Sequence, residues 1–238
     1  RDAQAGTGHG AEAGAGMTFD WKWDFALEIL PRLLRATLNT LMAAGAGYAI
    51  AMVLGLVFAL ALRSPWHLPR AVLREVLEFI RSTPLVVQIF FIFYVGPQVG
   101  ITLSPWVAGM TAIGLHYSAY LAEVYRAGIE AVPRGQWEAC RALNMTTRDS
   151  YVRIVLPQAL PHAIPGMGNY LVGIFKDTPM LSVIGVTELM QAANSIGSET
   201  YRFLEPYTLV GVIFLALSLP TAGLVRLGER RLRRKLGL

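Results

Sequence analysis

The residues of this chain with the most chemical capacity stand in segments too apolar to belong in water. Lys176, Asp177 and Thr178 lie within YLVGIFKDTPMLSVIGV, where a cation and an anion next to Pro179 are flanked on both sides by hydrocarbon. His116, Tyr117, Tyr120 and Glu123 form a second such set, and Gln88 and Tyr94 a third. Ionisable groups at membrane depth face a protein interior or a water-filled path, and a proline loosens the helix that carries them. The chemistry on offer is non-covalent: both signs of charge for a zwitterion, and tyrosine faces at positions 94, 117 and 120 for its cationic or apolar parts. No nucleophile–base pair or metal-ligand spacing recommends an enzyme. Cys140, the single cysteine, leaves no internal disulfide and no ligand cluster. Two readings of Lys176 stay open, a pathway residue or a partner for a carboxylate on a neighbouring helix. His116 is either a satisfied buried imidazole or a cavity residue. Glu123 and Arg126, three apart, suit a pair on one helix face.

These side chains must be positioned by membrane-spanning helices. The chain has 238 residues, 54% hydrophobic and only 16% charged, which is too apolar for a soluble domain of this length. Apolar runs predict five spans at about 33–62, 76–96, 105–125, 164–186 and 207–225. The first, at 1.5 Å per residue, is about 45 Å long and must tilt or project, and its Gly47, Ala51 and Gly55 make a close-packing stripe. Residues 1–16, rich in Gly and Ala, are expected to be a disordered extension, with Met17 as a possible start. Residues 17–32, with Trp21, Trp23 and Phe25 among charges, are expected to lie along the membrane surface as an interfacial segment before the 33–238 transmembrane domain. Pro84 leaves the second span to recruit the amphipathic helix before it or to break, and Pro157, Pro161 and Pro165 limit the start of the fourth.

The net charge of +5 would suggest nucleic acid in a soluble protein, but the basic residues obey a different order. Segment 63–83 holds four Lys or Arg, 96–104 none, 126–153 five, 187–206 one and the tail from Arg226 six. By the positive-inside rule the first, third and last are cytoplasmic, which gives an external N-terminus and an internal C-terminus. The basic tail then anchors at anionic headgroups of membrane lipids and need not bind nucleic acid.

One polar stretch interrupts this pattern on the cytoplasmic side: residues 132–157, VPRGQWEACRALNMTTRDSYVRIVLP. Gly135, Trp137, Glu138, Ala139, Arg141 and Leu143 fall on a short helix on which Trp137, Ala139, Cys140 and Leu143 mix a large knob with small neighbours, a surface suited to a groove on another protein. Asn144 is expected to end it in the left-handed conformation, and Thr146-Thr147 to cap a second short helix over Arg148–Val155. Glu138-Ala139-Cys140, then Asn144, then nine residues and Ile154-x-Leu156-Pro157, resembles the EAA loop of membrane subunits of ATP-binding-cassette importers, with Cys140 for the second Ala and Asn144 for Gly. Arg81-Ser82-Thr83-Pro84-Leu85 with Gln88 resembles a signature of the polar amino-acid branch, as does Lys176-Asp177-Thr178, which Pro179 and Met180 follow in place of Ser and Leu.

The resemblance covers nearly all of Phe19 to Gly237 and implies an all-α type I importer permease in a bacterial inner membrane, with EAA coupling helices between spans three and four. It implies a second permease subunit, copy or sibling, two ATPase subunits that carry ATP and Mg, and an extracytoplasmic substrate-binding protein. No cofactor is implied for this chain, in which G-x-x-x-x-G-K-[ST] does not occur. The runs DFALEILPRLL, LHYSAYLAEVYRAGIEAVPRGQWEA and SIGSETYRFLEPYTLVG look most like the ectoine/hydroxyectoine type, although glutamine or arginine would suit the same side chains. The competing class is a self-sufficient channel or ion-coupled transporter with Lys176, Asp177 and Glu123 as its relay. Internal repeats would support it, and none is seen.

Overall fold

The computed structural model describes residues 20–236, so the disorder expected of residues 1–16 falls outside the described part. Among the described residues all regular structure is helical. In chain order the helices are α1 (Trp23–Ala61), α2 (His67–Ser82), α3 (Leu85–Phe90), α4 (Pro105–Glu130), α5 (Arg134–Ala142), α6 (Thr147–Asp149), α7 (Leu156–Asp177), α8 (Leu189–Thr200) and α9 (Leu204–Leu236).

Helix α4 is the axis of the bundle, buried at intervals from Ala108 to Ile129. Small residues let its neighbours come close: a Cβ added at Gly114 would sit 2.4 Å from Ile50 Cγ2, and one at Gly55 would sit 2.8 Å from Leu121 Cβ. Gly47 meets Ile113, Ile50 meets Gly114 and Gly55 meets Leu121, so residue numbers rise together and α1 runs parallel to α4. Helix α7 runs the other way, with Gly173 at Tyr117, Gly166 at Val124 and Ala159 at Gly128. The stripe expected of Gly47, Ala51 and Gly55 is therefore a packing face against α4, with Ala51 fully buried.

Helices α1 and α9 are each long and apolar enough to cross a bilayer alone. Helix α2 and the helical run Leu85–Val99, which begins with α3, qualify only as a pair, bent by 107° across Thr83-Pro84. Recruitment of α2 into a straight second span is thus excluded. Proline at 84 lacks an amide hydrogen and holds the preceding residue extended, with Thr83 at ψ 132°. Beyond α3 the chain widens through a π-helical turn, Phe91–Val95, and then tightens into a 3₁₀ turn, Gly96–Val99.

Other boundaries also move from their sequence expectations. The interfacial segment is not separate, because α1 starts at Trp23 and continues through Pro31. Burial of Ile29, Leu33 and Ala36 against α8 and α9 holds those first turns in line. Nor do Pro161 and Pro165 delay the fourth long helix: both lie inside α7. With Pro157 they recur every four residues, so the amide hydrogens they lack fall along one face and the other faces keep their ladder. The second short helix of the polar stretch is also not free-standing. After α6 a π-helical turn, Ser150–Val155, runs directly into α7.

At the end of the bundle opposite the polar stretch, α8 packs on α1 and α9 through Leu33, Leu189, Ala193 and Ile196. Asn39 Nδ2 donates to the Thr187 carbonyl at 2.6 Å, and the Leu189 N–H donates to Thr40 Oγ1 at 3.1 Å. Glu188 caps α8, accepting from the Gln191 N–H at 2.7 Å, while its other carboxylate oxygen is buried with no partner. Fully buried Glu205 is instead matched by Arg202, whose Nε donates to it at 3.2 Å. Burial without a counter-charge pushes Glu188 up from 4.5 to about 7.

A carboxyl raised in the folded state binds more protons than in the unfolded chain between those two values. Its contribution is therefore fully present below pH 4.5, falls as pH rises and is lost above about 7. The expected loss is about 3 kcal/mol. Glu188→Gln should abolish that slope and stabilise the protein at pH 8 by no more than about 1 kcal/mol, after the cost of two unpartnered amide N–H groups. Thermal unfolding in detergent at pH 5 and pH 8 measures both, and a wild-type protein equally stable at the two values would contradict the assignment.

Candidate functional site

Antiparallel α4 and α7 enclose a cleft of about 650 Å³ whose lining includes His116, Tyr117, Tyr120, Tyr170 and Asp177. Glycines on α7 make room for it: a Cβ at Gly173 would lie 3.2 Å from the Tyr117 hydroxyl, and one at Gly166 would lie 2.9 Å from Val124. Asp177 is the last residue of α7, followed by a 3₁₀ turn, Thr178–Ile184. The charged pair expected in the middle of a span therefore stands at a helix break. Tyr117 Oη donates to Asp177 Oδ2 at 2.6 Å, which fixes the carboxylate at one end of the cleft. The rings of Tyr117, Tyr120 and Tyr170 line the rest, with centroids 6.2, 5.4 and 6.0 Å apart in the three pairings.

Gln88 joins the broken α2–α3 pair to this wall. Its Nε2 lies 2.7 Å from the Ile80 carbonyl, 3.0 Å from the Thr83 carbonyl and 3.0 Å from His116 Nδ1. His116 packs edge-on against Tyr117 and tilted over Tyr120, so it is a cavity residue with a hydrogen-bond partner. Tyr120 Oη donates to the Arg81 carbonyl at 3.2 Å, a second tie from the cleft to the end of α2.

Three residues named from sequence stand elsewhere. Tyr94, half-exposed, stacks with Phe90 and Phe93 on the π-helical turn. Lys176 is exposed and outside the cleft, with no carboxylate within ion-pair distance among the described residues. A residue next to Asp177 on a helix points about 100° away from it, so the two charges cannot share one face. Thr178 is fully buried, its hydroxyl donating to the Phe175 carbonyl at 2.8 Å, and it fastens the helix end rather than facing a solute. Glu123 does pair with Arg126, at 2.8 Å, and also with Arg81 at 3.1 Å, which ties α4 to α2. Tyr170 and Asn169 were missed. Gly166, Asn169, Gly173 and Asp177 recur at helical spacing, and that periodicity was the signal that could have found them.

The polar stretch forms a compact elbow. Asn144 takes φ 49°, the left-handed conformation expected of it. Its N–H donates to the Arg141 carbonyl and the Met145 N–H to the Cys140 carbonyl, each at 3.0 Å, which closes α5 in a Schellman turn. Thr146 caps the next turn by accepting from the Asp149 N–H at 3.1 Å, while its hydroxyl donates to Asp149 Oδ2 at 2.7 Å. Glu138, Ala139, Arg141 and Leu143 are exposed on the outer face, Leu143 at 74%. Gly135 is open, with nothing near a notional Cβ.

Trp137 and Cys140 are not part of that outer face. Cys140 is buried, and Trp137 packs edge-on against Tyr151 at 5.3 Å, over a small core of Ile129, Val132, Val155 and Ala159. Of the residues named for docking, Gly135, Glu138, Ala139, Arg141, Leu143 and Asn144 are exposed, and the tryptophan knob is not among them. Arg63, just past the end of α1, lies over the Trp137 ring and was not singled out by sequence.

Comparison with known proteins bears on both regions. Residues 51–234 match the family model described as "Binding-protein-dependent transport system inner membrane component". The chain is 43% identical over 229 residues to a probable amino-acid ABC transporter permease protein, y4tG, of Sinorhizobium fredii, covering 92% of this chain and 98% of that one. It is 31% identical over 221 residues to the glutamine transport system permease protein GlnP of Escherichia coli, covering 91% and 99%. A crystal structure of an amino acid ABC transporter with histidines contains a chain 34% identical, with a TM-score of 0.81 over 89% of this chain and 99% of that one. The MetNI methionine transporter, at 18% identity and a TM-score of 0.64, shares the fold. With the fold, the family match over most of the chain and full-length relatives in agreement, this protein is an amino-acid ABC transporter permease, a membrane component of the binding-protein-dependent transport family.

Proposed function

We propose that this permease carries a small zwitterion, either ectoine or hydroxyectoine or a polar amino acid, through the tyrosine-lined cleft between α4 and α7. The observation that carries the reading is Asp177, held by Tyr117 at 2.6 Å beside three tyrosine rings. A carboxylate so placed takes the cationic end of the solute, and the ring faces favour the same charge. The sequence runs that resemble ectoine permeases narrow the solute further. Five crossings with an external N-terminus are supported by the alternation of basic segments and by parallel α1 and α4 with antiparallel α7. On that topology the α5 elbow faces the cytosol and couples the bundle to two ATPase subunits. Their ATP-driven closure would rock this chain and a second permease subunit between inward- and outward-open states, fed by a binding protein.

The ion-coupled alternative needs Lys176, Asp177 and Glu123 in one relay. Lys176 stands outside the cleft, Glu123 is held between Arg81 and Arg126, and Asp177 bonds to Tyr117, so no line connects them. Competition against uptake of a labelled zwitterion by the reconstituted complex tests the proposal. Unlabelled ectoine or glutamine should compete, and a monocarboxylate or neutral polyol of the same size should not. Equal competition by the polyol would sink the zwitterion reading.

A further inference from the structure

Arg63 occupies a position that coupling through the α5 elbow leaves unexplained. Its guanidinium carbon lies 5.2 Å from the centre of the Trp137 ring, and its Nε donates to Tyr151 Oη at 2.7 Å. Trp137 and Tyr151 in turn meet edge to face at 5.3 Å. One guanidinium thus closes a three-membered cluster that joins α1, α5 and the π-helical turn leading into α7. No carboxylate pairs with Arg63 among the described residues, although Glu78, Glu123 and Glu130 line the cleft of about 520 Å³ that it borders. Its charge meets two aromatic side chains instead.

The backbone under Arg63 is fixed as well. The Arg63 N–H donates to the Leu60 carbonyl at 3.1 Å and the Ser64 N–H to the Ala61 carbonyl at 3.0 Å, so α1 ends in a tight turn. Leu60 packs into the same small core as Trp137 and Tyr151. From there α1 runs 39 residues, about 58 Å at 1.5 Å per residue, seated on α4 at Gly55 and Gly47 and reaching α8 through Leu33. A displacement of α5 that moves Trp137 must either drag Arg63, and with it the end of this rod, or break the cluster.

We infer that Arg63 is a positioning residue that clamps the α5 elbow to α1 and carries motion of the elbow into the longest helix of the bundle. This rests on the coupling role proposed for α5. Arg63 touches no solute, and acts through Trp137 and Tyr151.

The test uses the whole transporter in proteoliposomes, with Arg63→Ala, Arg63→Lys, Tyr151→Phe and the Arg63→Ala/Tyr151→Phe double variant. Three quantities are read: solute moved per ATP hydrolysed, ATP hydrolysis itself, and disulfide crosslinking between a cysteine placed at Leu143 and the ATPase. Arg63 is exposed, so membrane insertion should be unchanged. Arg63→Ala should keep the crosslink and the hydrolysis while transport per ATP falls about tenfold, within the range by which residues that touch neither ligand shift coupling. Arg63→Lys, which keeps a cation over the indole, should recover part of the loss. The double variant should be no worse than Arg63→Ala, because both changes break one cluster. An unchanged ratio in Arg63→Ala, a lysine variant no better than alanine, or additive losses in the double variant would overturn the clamp. Loss of the Leu143 crosslink in the otherwise unmodified protein would remove the coupling reading itself, and the clamp with it.

Discussion

Glu138→Arg is expected to leave the protein folded and inserted in the membrane while ATP-driven uptake falls to background. Glu138 is exposed on the outer face of α5, and no side chain among the described residues pairs with it. Reversal of its charge adds a third cation near Arg134 and Arg141 on one short helix. Such like-charge spacing costs an exposed helix only about 0.5 kcal/mol per pair. Across an interface, a like charge placed where an opposite one belongs costs several kcal/mol, enough to weaken association about a hundredfold. The interface term wins, so the variant should insert normally, lose copurification with the ATPase and transport nothing. Normal uptake by Glu138→Arg would count strongly against docking through this face.

Asp177→Asn is the second variant with a large expected effect, and it fails for a different reason. Asparagine keeps an oxygen for the Tyr117 hydroxyl, so the wall of the cleft should stand. What disappears is the one negative charge among the cleft-lining residues. Loss of one partner of a desolvated, hydrogen-bonded ion pair costs about 2–5 kcal/mol, or roughly a hundredfold in uptake at low solute concentration. Assembly with the ATPase and hydrolysis without solute should be untouched. The two variants thus separate the functions, Glu138→Arg losing the ATPase and Asp177→Asn losing the solute. Uptake by Asp177→Asn within a factor of about three of wild type would leave the cleft without its proposed anchor, since that is well under 1.4 kcal/mol.

Local features of the sequence were the readable ones. Asn144 and Thr146 are turn and cap residues whose conformation depends on neighbours a few positions away, and both adopt the geometry expected of them. Pro84 likewise announced a break, though not its 107° angle, which depends on how α2 and α3 each pack on α4. Gly47, Ala51 and Gly55 gave the α1 packing face from spacing alone.

Features set by distant contacts were not readable. Trp137 looked outward because nothing in its own helix shows Tyr151 and Arg63 converging on it from two other segments. Lys176 drew attention by its charge, yet the helix turns it away from Asp177, and the cleft is completed by Tyr170, a residue with no charge to advertise it. The first turns of α1 carry interfacial composition, but burial against α8 and α9, more than a hundred residues downstream, keeps them helical.

Uptake by purified components in proteoliposomes bears most directly on what this chain does. Labelled zwitterion should accumulate only when the permease, ATPase, binding protein and ATP are all present, and omission of the ATPase should abolish it even with a proton or sodium gradient imposed. Accumulation by this chain alone, driven by such a gradient, would contradict the account.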